Sequence, residues 1–203
     1  MNWDLFGAFL ALTILLVLAP GPIVTLVIAT GANQGVRAAL VTVAGTTTGN
    51  ALLLAAIASG LGFVVSHAAP VFEVLRWAGA AYLMFLGIQT WRRAGAARLE
   101  PPPHRALFRR GVLVALSNPK TIAFFTAFLP QFVDPTLPAW RQLGVMCAAS
   151  VAIAAVTDSG WAVAAGLGRA WLVRPSWAQR LARLSGAALI GGGIWLSLAR
   201  RPG

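Results

Sequence analysis

The chain has 203 residues, of which 58% are hydrophobic and only 10% charged, with a net charge of +11 and a mean hydropathy of +0.76. A water-soluble domain carries roughly 25% charged residues, so this composition excludes one. The basic residues are spread through the segments between apolar runs, which excludes a nucleic-acid binder and fits the arginine excess of cytoplasmic loops.

The apolar runs come first in chain order. Leu5 to Gln34 carries no ionisable side chain, and neither does Ala38 to Ser66. Each exceeds the ~20 residues that cross a bilayer. The flank Asn2-Trp3-Asp4 has no Lys or Arg, which a cleaved signal peptide would need, so the first run reads as a retained helix. Hydropathy predicts an all-α membrane protein with six transmembrane helices, at roughly 5–30, 38–66, 71–92, 107–132, 142–168 and 181–199.

The first span is broken at Ala19-Pro20-Gly21-Pro22 and the fourth at Asn118-Pro119-Lys120. Proline removes a backbone donor and blocks the carbonyl one turn earlier. In hydrocarbon the freed groups are tolerated only where protein or a watery cavity satisfies them. Paired broken helices in corresponding positions point to a transporter's binding site. The candidate pathway residues at these breaks are Pro20, Gly21, Pro22, Asn118, Pro119 and Lys120. Lys120, the sole lysine, sits about one third of the way along its span from the cytoplasmic side; it meets a substrate carboxylate, pairs with Asp158 or snorkels to the headgroups. Asn118 either contacts substrate or caps the half-helix behind it.

In the second span, Thr46-Thr47-Thr48 and Asn50 form a polar group, and Gly45-x-x-x-Gly49 allows close helix packing. The third and sixth spans carry Gly79, Gly87 and Gly191-Gly192-Gly193, compatible with internal packing or a homodimer. Glu73 stands only three residues into the third span, whereas in the fifth Asp158 is an acid deep inside an apolar run, two or three positions past the middle. A charge at that depth costs roughly 2.5–3.5 kcal/mol on translocon scales. Such a group pairs with a cation or takes a proton, the behaviour wanted of a proton carrier.

The halves match at three places in order. Pro20 and Pro119 are 99 positions apart, Ala58–Gly62 answers Ala164–Gly168 at 106, and Arg76–Ala81 answers Arg183–Ala188 at 107. Three-helix repeats start on opposite sides of the bilayer and must be inverted. The expected organisation is one transporter domain, 1–203, comprising a first repeat at 1–95, a cytoplasmic linker at 96–106 and a second repeat at 107–203. At an offset of 106, Asn50 answers Val156, which would set Asn50 across from Asp158. Eleven arginines fall on one side of this topology and four on the other, which puts both termini in the periplasm.

Neither His67 nor His104 has a partner at metal-ligand spacing, Cys147 lies in an apolar run as a small hydrophobe, and no nucleophile elbow occurs. No metal, cofactor or enzymatic activity is expected. A metal-ion exporter would need acidic, histidine or cysteine clusters. A membrane scaffold leaves the broken helices and the midplane acid unexplained, and a channel leaves no coupling signature to read.

These residues resemble the LysE/RhtB family of amino-acid exporters. The likeness rests on Pro20-Gly21-Pro22, Gly35-x-Arg37 with Gly45 and Gly49, Trp77-Ala78-Gly79-Ala80-Ala81-Tyr82-Leu83 with Leu86-Gly87-Ile88, Asn118-Pro119-Lys120, and Phe128-Leu129-Pro130-Gln131-Phe132-Val133-Asp134-Pro135. The resemblance implies a bacterial inner-membrane carrier that exports a small amino acid or derivative against protons. The acid at Asp158 is similar to the homoserine/threonine-type members. They tend to follow it with a tyrosine, where this chain has Trp161-Ala162.

Overall fold

The computed structural model describes residues 1–18, 21–67 and 106–168, with scattered residues between 74 and 92 and between 179 and 197. Pro20, the linker at 96–105, the loop at 169–178 and Gly79, Gly87 and Gly192 lie outside the described residues. The described part is helical, without a strand: α1 (Trp3–Leu18), α2 (Pro22–His67), α3 (Leu107–Leu116), α4 (Pro119–Phe128), a 3-10 turn (Leu129–Phe132) and α5 (Ala139–Gly166). The described residues within 74–92 and within 179–197 are helical as well.

Two stretches are long and apolar enough to cross a membrane, Pro22–Gly60 and Ala139–Gly166. The pair Leu107–Leu116 and Pro119–Phe132, bent by 42°, is a third, while Trp3–Leu18 is a shorter apolar helix. Both proline breaks expected from the sequence interrupt helix. α1 stops at Leu18 and α2 begins at Pro22; α3 stops at Leu116 and α4 begins at Pro119. In each case a proline takes the first helical position, where its missing N–H deprives the helix of nothing.

α2 is itself two helical arms, because Gly35 has φ 83° and ψ 174°. That conformation is essentially restricted to glycine. The break divides 22–34 from 36–67, close to the expected boundary between the first two spans. The fifth helix begins at Ala139, three residues earlier than expected, so Asp158 lies further past its middle than the two or three positions expected.

The helices close on one another in two ways. Around α3 the contact is backbone to backbone. A Cβ at Gly45 would meet the Phe108 carbonyl, and one at Gly49 would lie 2.6 Å from the Val112 carbonyl oxygen. Glycine on both sides of this seam brings the helices close enough for direct dispersion contact, which drives association in lipid. These glycines therefore pack internally. A second tight contact joins Gly31 and Val36 to Ala162, Ala165 and Gly166, and Gly193 rests on Ala80 and Met84.

The other half is filled by aromatic side chains. Phe9 meets Phe125 and Phe132 edge-on at 6.3 and 5.6 Å, and Phe124 stacks on Phe128 at 4.8 Å. Leu129, Leu143, Met146 and Cys147 complete this core. Cys147 is buried, as expected of a small hydrophobe.

Candidate functional site

The breaks before α2 and before α4 meet at one cavity. Gly21, Ile23 and Val24 line it from the first break, and Asn118, Lys120 and Thr121 from the second. α5 contributes Ser150, Ala154 and Asp158, and α2 contributes Asn50 and Leu54. The volume open to the centre of a water molecule is about 40 Å³. On that measure one ordered water takes roughly 10–15 Å³, so the space holds a few waters.

Each wall follows from local sequence. Asn118 adopts an extended conformation and caps α4: its Oδ1 accepts the Lys120 backbone N–H at 3.2 Å, while its Nδ2 donates to Thr121 Oγ1 at 2.7 Å. The capping role of Asn118 is thus present in the structure, at a residue that also faces the cavity. At the other break the Gly21 carbonyl accepts from the Thr25 N–H and the Thr25 hydroxyl, both at 2.9 Å. Residues of the first turns of both helices line the same space, which sets the positive ends of two helix dipoles beside it.

Lys120 is the second residue of α4, at the break itself and midway along 107–132, deeper than the one-third position expected. Its side chain passes over Gly21: a Cβ there would lie 3.4 Å from Lys120 Cδ and 3.5 Å from Nζ. Asp158 is 3% exposed, and its charge is felt by Lys120. A cation and an anion thus line one small enclosed space.

On α5, Ser150, Ala154 and Asp158 repeat every four residues and present one face. On α2, Thr42, Thr46, Asn50 and Leu54 do the same, and all four are buried. Thr42 and Thr46 donate back to the Ala38 and Val43 carbonyls at 3.2 and 3.0 Å. Of the polar group expected around Thr46–Asn50, Asn50 is the member that reaches the cavity. Val156 is 74% exposed, on the outer side of α5, so the offset of 106 does not place it as a counterpart of Asn50. Asn50 nevertheless shares the cavity with Asp158. Pro22 and Pro119 start the helices whose first turns line the cavity rather than lining it themselves.

Sequence reasoning missed Ser150, Thr121 and Phe125. Ser150 was findable as the residue eight before Asp158, two turns away on the same face. Among the described residues no group of histidine, cysteine or acid could hold a metal ion.

The sequence profile of the LysE type translocator family matches residues 14–199. A homoserine/homoserine lactone efflux protein of Salmonella typhimurium is 35% identical over 98% of this chain and 99% of its own length. An uncharacterised membrane protein of Vibrio cholerae is 36% identical over 98% of this chain and all of its own. A leucine efflux protein of Salmonella choleraesuis is 31% identical over 66% of this chain and 65% of its own. No solved structure matches.

Proposed function

The chain belongs to the LysE type translocator family, and from that premise we propose that it is a secondary active exporter of a small amino acid or derivative, homoserine- or threonine-like, working by proton antiport. The observation that carries this reading is the shared cavity at the two breaks, where Lys120 and the N-termini of two helices oppose Asp158. An amino acid has a carboxylate and an ammonium group. The first suits the dipole ends and Lys120; the second suits Asp158. Two of the relatives that align end to end bear homoserine and homoserine lactone names, which favours a small polar substrate. The name of the leucine efflux relative keeps an apolar amino acid in view.

We read six spans in two inverted three-helix repeats, in the inner membrane, with both termini periplasmic. A 46-residue helix measures about 69 Å, more than twice the ~30 Å hydrocarbon core, so the Gly35 break is where one crossing becomes the next. Gly21 and Lys120, related by the same 99 positions as Pro20 and Pro119, touch each other. Residues near a two-fold axis meet their own equivalents, which supports the repeat.

In the proposed cycle Asp158 carries the proton. Substrate enters from the cytoplasm with its ammonium toward Asp158. A proton arriving from outside neutralises the carboxylate, removes its hold on the ammonium, and releases the substrate.

The test is export from cells loaded with a dipeptide mixture, with and without a protonophore. Protonophore-sensitive release of one amino acid above empty-vector cells is expected, and Asp158→Asn should abolish it. Wild-type rates in the variant would remove Asp158 from the mechanism. No release from cells with verified membrane expression would remove the export reading.

A further inference from the structure

The polar side chains around the cavity are mostly paired already. Ser150 donates to the Met146 carbonyl at 2.7 Å, Asn118 to Thr121, and Thr46, one turn from Asn50, to its own helix. Asn50 differs. It is 6% exposed and lines the cavity, and its Oδ1 is a buried acceptor with no hydrogen-bond donor among the described residues. A buried acceptor left unpaired is unfavourable, and native structures keep one where a partner is to come. An apolar residue of similar size would suit an empty carrier better.

Resting on the export reading above, we infer that the Asn50 side-chain oxygen is a second acceptor for the substrate's α-ammonium, beside Asp158. An ammonium is a donor-only group with three N–H bonds, more than one carboxylate needs to accept. Lys120 and the two helix N-termini, all donors, hold the other end of the molecule. Asn50 thereby reads the amino group that every α-amino acid shares, while the side chain is left to the apolar wall of Leu16, Val24, Leu54 and Phe125.

The test uses purified full-length protein in proteoliposomes, with L-homoserine, L-2-aminobutyrate (which lacks the hydroxyl) and L-leucine as substrates. Asn50→Leu should raise KM for every substrate the wild type carries, by roughly ten-fold or more and by similar factors. Its melting temperature in detergent should equal or exceed wild type, because an unpaired buried acceptor has been removed. Asn50→Asp, which keeps an acceptor in place, should retain the lower KM. An unchanged KM in Asn50→Leu overturns the inference. A loss confined to homoserine also overturns it, and assigns Asn50 to the hydroxyl. A fall in melting temperature overturns it as well, since Oδ1 would then have a structural partner. Wild-type protein that carries none of the three overturns the export reading, and this inference with it.

Discussion

Gly111→Ala tests whether the seam between α2 and α3 is as close as the structure has it. Gly111 is buried, and a Cβ there would lie 2.5 Å from the Thr42 carbonyl oxygen and 2.9 Å from the Thr46 nitrogen. Ordinary contact begins at 3.4 Å, so α3 has to retreat by about 0.9 Å, or the two backbones must deform. The opposing atoms belong to the backbone and cannot swing aside as a side chain would. Overpacking of this kind costs about 1–3 kcal/mol. For a chain near 200 residues, each kcal/mol is about 2–4 °C in Tm, so the variant should melt roughly 2–12 °C below wild type. The same chemical change at Gly144, exposed on α5 with nothing within 4 Å, relieves only helix entropy and should gain about 0.5–1 kcal/mol. Thermal melts of the two variants, followed by intrinsic tryptophan fluorescence in detergent, make the comparison. A Gly111→Ala melting point equal to that of Gly144→Ala would refute the close seam. Export should fall with Gly111→Ala too, because Asn118 lies two residues beyond the end of α3 and moves with it.

On the proposed binding mode Lys120→Gln removes one charge-assisted contact to the substrate carboxylate, worth about 1.5–3 kcal/mol, and should raise KM roughly 10- to 100-fold. A wild-type KM in proteoliposomes would take Lys120 out of the binding site. Phe9→Ala empties a fully buried position between Phe125 and Phe132 and should destabilise by about 3–5 kcal/mol; Phe108→Ala, at a half-exposed position, should cost far less by the same melts. Asp134, in the turn between the 3-10 segment and α5, is held below the usual carboxylate range, chiefly by the Thr136 hydroxyl, then by the Thr136 N–H and Asn2. A depressed pKa means the charged form is the one the fold favours. The turn's added stability is therefore present above the ordinary carboxylate range and is lost as pH falls through the lowered value. Hydrogen exchange at Thr136, corrected for its intrinsic pH dependence, should accelerate on acidification, and Asp134→Asn should abolish that response.

The breaks were legible because proline acts locally: at Pro22 and Pro119 the chain has one helical place for the ring, the first. Asp158 was legible as a cavity residue because a carboxyl that deep in an apolar run is costly unless a partner or a proton answers it. Depth was read less well. Lys120 lies at the break, midway along 107–132 rather than one third along, and Asp158 lies further past the middle of its helix than the two or three positions expected, because that helix runs Ala139–Gly166 rather than 142–168. Pairings across the fold were not legible at all. Gln142, buried, clamps the turn by accepting from the Asp134 N–H at 3.0 Å and donating to the Asp134 and Leu137 carbonyls at 2.9 and 3.1 Å. Asn2 reaches the same Asp134 carboxylate at 3.3 Å. Nothing in the apolar pattern announces a glutamine that serves a turn.

On the inverted-repeat reading proposed above, the two breaks differ where the halves meet. Where one half has Gly21, the other has Lys120, and the lysine side chain lies alongside the glycine, at ordinary contact distance from where a Cβ would stand. Strict repetition would put a lysine at both positions, two ammonium groups at contact distance in a low dielectric, each raising the energy of the other. Two glycines would leave the cavity without a cation to set against Asp158. The proposed arrangement of one cation, one carboxylate and two helix N-termini is reached only if the halves diverge where they meet. Similarity between the halves is thus kept in the features that shape backbone, the prolines and the glycine-ended spans. It is lost at the residues that face the cavity. An offset drawn from the backbone-shaping residues consequently paired Asn50 with the exposed Val156, whereas the residue of α5 with which Asn50 shares the cavity wall is Asp158.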